Sequence, residues 1–184
     1  MISRDEAYDL LRKHVPEPAL QAHCLESEAV LRGLAHRLGQ DEELWGVTGL
    51  LHDLDYAATK DNPARHGLDA AEMLAGKLPE EAVTAIRAHN AEHTGVAPAT
   101  TFDFALRCGE TVTGLIHAGA LVRPTRLEGM DAKSLTKKLK DKAFAASVSR
   151  ATVGEFERLG LERAEFFTIA IAAVAGVADK VGLA

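Results

Sequence analysis

The apolar positions of this chain recur mostly at three- and four-residue intervals, the period of one helix face. Ser3 with Glu6 three residues on has capping-box spacing and predicts a short first helix ending near His14-Val15. Pro16 and Pro18 punctuate, and a long helix follows to about Leu38, closed by Gly39. Its stripe runs through Leu20, Cys24, Ser27, Leu31, Leu34, Ala35 and Leu38. His23 lies on the edge of that stripe, in phase with Ser27, Val30 and Leu34, so it should point inward. Asp41 caps the next predicted helix, through Leu44, Trp45, Thr48 and Leu51.

That helix delivers the stretch Leu50-Leu51-His52-Asp53-Leu54-Asp55-Tyr56. Carboxylates and imidazoles are expensive to bury unless something pairs them, and a metal ion pairs both at once. Adjacent helix positions lie about 100° apart, so His52 and Asp53 can lean toward one ion while Leu50, Leu51 and Leu54 pack. The alternative is a surface pair at a helix end.

The segment Ala57 to Asn62 reads as a polar loop, and Pro63 as the first turn of a helix carrying His66 in phase with Ala70 and Met73. Pro79-Glu80-Glu81 starts another, with Ala82, Ala85, Ile86 and His89 on its inner face. Thr100 or Thr101 caps a long helix from about Phe102 to Val122. Along it Leu106, Glu110, Thr113, His117 and Leu121 share one face, and a carboxylate set in such a stripe needs a partner. The rival acid, Asp103, sits in the first turn, where acids are common because of the helix dipole. Two further helical segments, about Ala151 to Leu159 and Glu162 to Val181, are separated by Gly160. No internal repeat, linker or convincing strand is legible. The expectation is an all-α, single-domain bundle over residues 1–184 with eight or nine helices. Its metal-site core spans about 20–122, with a basic segment and C-terminal helices over 130–184.

Composition adds little to that picture except at one place. With 184 residues the chain can bury a real core. Two cysteines, Cys24 and Cys108, are too few for a disulfide framework, and the N-terminus lacks the apolar run of a signal peptide. A cytoplasmic protein without membrane spans is expected. A net charge of −6 argues against general nucleic-acid binding. Yet residues 133–150 carry six basic residues and one acid. These charges are either a solvated face or a place where Lys138, Lys142 and Arg150 hold substrate phosphates.

Four histidines (His23, His52, His66 and His89) and two acids (Asp53 and Glu110) thus come from five segments. Imidazole with hard oxygen suits Mn, Fe, Zn, Co or Ni. The order His23 … His52-Asp53 … His66 … His89 … acid resembles the HD-domain superfamily of metal-dependent phosphohydrolases. It is most similar to the small bacterial HDIG-type proteins, with His-Asp-Leu-Asp here in place of His-Asp-Ile-Gly. The resemblance implies one metal held by His23, His52, Asp53 and, at the late position, Glu110 where the family has aspartate. It implies a second at His66 and His89, with Asp53 bridging, so one or two divalent ions are expected. Asn90 stands where some two-metal members have a second, paired histidine.

The expected function is hydrolysis of a phosphate ester of a small anionic substrate, a nucleotide among the candidates, by metal-activated water, with Asp53, His66 and His89 at the reaction. The alternatives are a metal-binding regulatory module without turnover, for which Glu110 and Asn90 speak, and a di-iron oxygenase, which needs the full six-ligand set.

Overall fold

The computed structural model describes residues 1–184. Twelve α-helices follow in order. They are α1 (Arg4–His14), α2 (Pro18–Leu38), α3 (Glu42–Leu51), α4 (Tyr56–Thr59), α5 (Leu68–Leu74) and α6 (Glu80–His89). Next come α7 (Ala91–Thr94), α8 (Thr101–Leu121), α9 (Ala132–Lys140), α10 (Arg150–Gly154), α11 (Arg163–Ala175) and α12 (Ala178–Val181). A 3₁₀ turn, Glu155–Leu159, joins α10 to α11. There is no sheet; the one β-bridge pairs Ala75 with Leu78. The fold is all-α, as the spacing of apolar residues predicts.

Local signals set the helix ends. Ser3 and Thr100 both form capping boxes, with Glu6 and Asp103 respectively, and Asp41 accepts the amides of Glu43 and Leu44. Gly39 ends α2 in the left-handed conformation with φ of +66°. The two 21-residue helices, α2 and α8, form the axis of the bundle, packing on each other and jointly against α3 and α11. One cluster of 46 buried residues connects all of these elements, so the N-terminal helices and the C-terminal ones share a core.

Several predicted elements change form, and short turns of helix bring the count from the expected eight or nine to twelve. The loop expected over Ala57 to Asn62 opens with α4, whose Thr59 hydroxyl bonds the Asp55 carbonyl, and the helix expected over Ala151 to Leu159 divides into α10 and the 3₁₀ turn. The helix expected from Pro63 starts only at Leu68, and His66 stands in the turn before it. Gly67 adopts φ of +89°, which no helix allows, and a Cβ there would meet Ile86 O at 2.8 Å and His89 Cε1 at 2.9 Å. The periodicity through Ala70 and Met73 is real, but its start is set by Asp55, which accepts the Gly67 and Ala70 amides from outside the helix. The C-terminal segment likewise divides, with α11 ending at Ala175 and α12 starting at Ala178.

The closest approach in the core is between α2 and α3. A Cβ at Gly49 would lie 2.8 Å from the Ser27 carbonyl oxygen and 3.1 Å from the Glu28 nitrogen. Both are backbone atoms that cannot rotate away. This proximity places His52, one turn further along, beside His23. Gly49→Ala should therefore cost about 1–3 kcal/mol through overpacking, lowering Tm by roughly 2–4 °C per kcal/mol in a chain of this size. Thermal denaturation checks this; an unchanged Tm would contradict the close packing.

Candidate metal centre

Four segments contribute to one buried cluster, with Glu110 of α8 beside it. His23 comes from the middle of α2, and His52 and Asp53 follow the last residue of α3. His66 stands in the turn held by Asp55, and His89 is the final residue of α6. Asp53 lies between two pairs of imidazoles. Its Oδ1 is 3.3 Å from His52 Nε2, 3.2 Å from His66 Nε2 and 3.5 Å from His89 Nε2, and its Oδ2 is 3.6 Å from His23 Nε2. Two groups result that could each hold a metal ion, His23/His52/Asp53 and Asp53/His66/His89.

The orientation of the rings tests whether a cation fits. His52 Nδ1 donates to Gly49 O at 2.8 Å, and His89 Nδ1 to Ile86 O at 2.6 Å. His66 Nδ1 donates to Asp55 Oδ1 at 2.9 Å. His23 Nδ1 donates to Thr113 Oγ1 at 2.9 Å, since that hydroxyl itself donates to the Glu110 carbonyl at 2.6 Å. All four imidazoles thus spend their Nδ1 proton on a local acceptor and turn Nε2 inward. The inward nitrogens sit 3.2 Å apart in the His23–His52 pair and 3.1 Å apart in the His66–His89 pair. Two lone pairs at such a distance repel unless a proton or a metal cation lies between them. Metal–ligand bonds of about 2.0–2.2 Å give ligand–ligand edges of about 3.0–3.5 Å, so the donor set fits an ion.

Without a metal ion, protons supply part of the positive charge that Asp53 needs. Burial drives the His52 pKa down to about 3, which keeps its imidazole neutral. Burial works against ionisation of Asp53 too, but His52 and the hydrogen bonds from His66 and His89 outweigh it and hold the carboxyl well below its usual range. For His66 burial opposes the charged form, yet Asp53 and Asp55 together raise its pKa to about 10. Burial, reinforced by the charge of Asp53, lifts Glu110 to about 8.

Glu110 alone of the expected ligands belongs to neither group. Its Oε2 lies 3.7 Å from His23 Nε2, and its other oxygen accepts from the Thr111 hydroxyl. Asn90 is committed elsewhere: its amide donates to Pro63 O and His66 O and its oxygen accepts from His93, bracing the turn that carries His66. A cavity of about 310 Å³ opens over Asp53, His66 and His89, walled by Glu92, Glu110 and Thr111 and rimmed by Ser147, Ser149 and Thr152.

Lys138, Lys142 and Arg150 do not line that cavity. The Lys138 ammonium lies over the Phe144 ring at 4.0 Å from its centroid, and Lys142 is exposed. Arg150 turns its guanidinium onto backbone carbonyls, those of Ala145 at 2.6 Å, Val148 at 2.7 Å and Asp141 at 3.0 Å, together with Phe144. It holds the 141–149 segment in shape instead of facing a ligand. The reason is geometric: α9 stops at Lys140, and the basic run does not continue as a helix over the cavity.

Sequence reasoning missed Arg107. Its guanidinium is 3% exposed, takes Glu155 through two bonds of 2.7 and 2.8 Å, and donates to Glu92, Ala88 O and His89 O. It fixes the end of α6, and with it the backbone of His89. An arginine flanked by Leu106 and Cys108 inside an apolar helix was the available signal. His117 also lies apart from the cluster, bonding the buried Glu26 carboxylate at 2.6 Å.

An all-helical bundle that gathers four histidines around one aspartate defines a class of helical proteins with a histidine–carboxylate centre. The HD domain family matches residues 20–141, and the chain belongs to it. Members bind divalent metals and are mostly metal-dependent phosphohydrolases. No curated protein and no solved structure matches the chain. No helix is long and apolar enough to cross a membrane.

The Glu26–His117 pair makes a pH prediction away from the cluster. The hydrogen bond that His117 donates to Glu26 raises the His117 pKa above its ordinary value, against a smaller effect of burial. Its stabilisation is therefore complete below about pH 6.5 and fades as pH rises through the folded value. The Tm gap between the parent and His117→Ala should be wider near pH 6 than near about pH 9. An equal gap at both would remove the pair from the stability of the fold.

Proposed function

We propose that this protein is a metal-dependent phosphohydrolase acting on a phosphate ester of a small anionic substrate, a nucleotide among the candidates. The observation that carries this is the convergence of four Nδ1-anchored imidazoles on the Asp53 carboxylate beneath an open cavity. His23, His52 and Asp53 would hold one divalent ion, with Glu110 reaching it from the His23 side. Asp53, His66 and His89 would hold a second. Mn, Fe, Zn, Co or Ni suits this set of imidazole and carboxylate donors. When bound, such an ion lowers the pKa of water from about 15.7 toward 7 and polarises a phosphoryl oxygen.

The chain's own contribution is orientation. Asp55 accepts the His66 Nδ1 proton and so keeps His66 Nε2 directed at Asp53. Arg107 and the Ile86 carbonyl do the same for His89 through its backbone and its ring. His66 and His89 lie on the cavity floor, where the scissile phosphate would rest. Residues 1–184 act as one HD-type domain on this reading, because a single buried cluster joins the metal-site core to the C-terminal helices.

A regulatory module without turnover is the second reading, favoured by the peripheral position of Glu110. Metal content together with phosphate release from a panel of phosphate esters separates the two. Protein purified without added metal should contain at least one divalent ion by elemental analysis. His52→Ala and Asp53→Ala should lose it, and with it the stabilisation of about 2.7 kcal/mol that a ligand at 100 times its Kd provides. Unchanged metal content in both variants would end the proposal.

Asp55→Asn places an amide where three N–H donors point. It should weaken metal binding by about 10–100-fold, the usual effect of losing a partner that orients a ligand. Competition with a metal chelator measures this, and parental affinity would show that Asp55 only shapes the turn.

A further inference from the structure

The walls of the cavity differ from what a highly charged substrate needs. No lysine or arginine lines it. The nearest cation, Arg107, is buried and doubly paired with Glu92 and Glu155. Beyond the cluster the surface offered to a ligand consists of the Glu92 and Glu110 carboxylates, the hydroxyls of Tyr56, Thr111, Ser147, Ser149 and Thr152, and the amide of Asn90. Beyond the charge that bound ions would bring, the cavity offers no lysine or arginine to receive the second and third phosphates of a nucleotide.

Size and polarity point the same way. A volume of about 310 Å³ lies at the small end of the ~300–1,000 Å³ of ligand sites. Tyr56 is its single hydrophobic lining residue, set edge-on to His66 with ring centroids 5.2 Å apart, so nothing stands opposite to sandwich a nucleobase. The free hydrogen-bonding capacity faces the opening. Ser147 is exposed and makes no hydrogen bond within the chain, whereas Thr152 donates its hydroxyl to Ser149 at 2.8 Å and so leaves the Ser149 proton available. Glu92 keeps acceptor lone pairs beyond those that Arg107 takes.

Resting on the phosphohydrolase reading, we propose that the group esterified to the phosphate is compact and polyhydroxylated, a sugar or polyol monophosphate, with its hydroxyls read by Ser147, Ser149 and Glu92. The hydroxyls of such a group donate to Glu92 and accept from the two serines; the ribose of a nucleotide offers hydroxyls too, but its base finds only Tyr56 and no second ring to stack against. Di- and triphosphates, whose added charge meets no side-chain cation in the cavity, should be the poorer substrates.

The test compares sorbitol 6-phosphate with AMP and ATP on the metal-loaded protein, by phosphate release and by calorimetric binding, with an aryl phosphate as the general phosphoester probe. Sorbitol 6-phosphate should exceed AMP at least tenfold in kcat/KM and in affinity, and ATP should be poorer still. Ser147→Ala leaves no internal bond broken and should raise KM and Kd for sorbitol 6-phosphate several-fold more than for AMP. AMP or ATP equal to or better than the polyol ester would overturn the inference, as would absence of binding by either class, or equal effects of Ser147→Ala on both. If no ester, the aryl phosphate included, is hydrolysed while sorbitol 6-phosphate still binds more tightly than AMP, the hydrolase reading falls and the recognition of a polyol phosphate stands.

Discussion

The constraint on which the rest of this structure depends is the burial of Asp53. An ionised carboxylate inside an Ala/Leu-rich bundle costs several kcal/mol unless charge or hydrogen bonding answers it. Here the answer comes from four imidazoles delivered by four different segments, at 3.2 to 3.6 Å from its two oxygens. No one helix could supply them, because neighbouring positions on a helix diverge by about 100°. The bundle therefore brings α2, α3, the Asp55 turn and α6 to one point. The glycine contact between α2 and α3 and the positive-φ glycine before α5 are what allow those backbones to approach.

A second tier of interactions holds the imidazoles in place. Gly49 and Ile86 contribute carbonyls, Asp55 a carboxylate and Thr113 a hydroxyl, and each fixes the ring it touches by taking the Nδ1 proton. These partners do further work. Asp55 also starts α5 through the Gly67 and Ala70 amides, so one carboxylate both shapes the turn that carries His66 and orients its ring. Arg107 connects the end of α6 to the 3₁₀ turn at Glu155, tying the cluster to the C-terminal third of the chain. Folding and assembly of the centre are thus one event, because the same hydrogen bonds serve both.

The C-terminal third closes the cavity without lending it charge. Arg150 spends its guanidinium on the carbonyls of the 141–149 segment, and the Lys138 ammonium rests on Phe144. The basic run that stands out in the sequence is therefore divided between shaping a loop and facing solvent. What reaches the rim is a set of small hydroxyl side chains, which favours recognition by direction of hydrogen bonds over recognition by charge.

By itself the sequence determined the helical period, the capping box at Ser3, a threonine cap at residue 100 or 101, and the inward phase of His23 and His89. Each of these is a local property, readable within a few residues of its own position. The order of histidines and acids also resembles that of HD domains, the family to which the chain belongs. Only the tertiary structure decided that α5 starts at Leu68, since the residue that caps it, Asp55, lies outside it. It alone showed Arg107 bridging Glu92 and Glu155, His117 paired with Glu26, and Ser147 at the cavity rim. Those contacts join residues up to 91 positions apart. No periodicity records such a pairing, because it is set by how whole helices pack and by which buried charge most needs an answer.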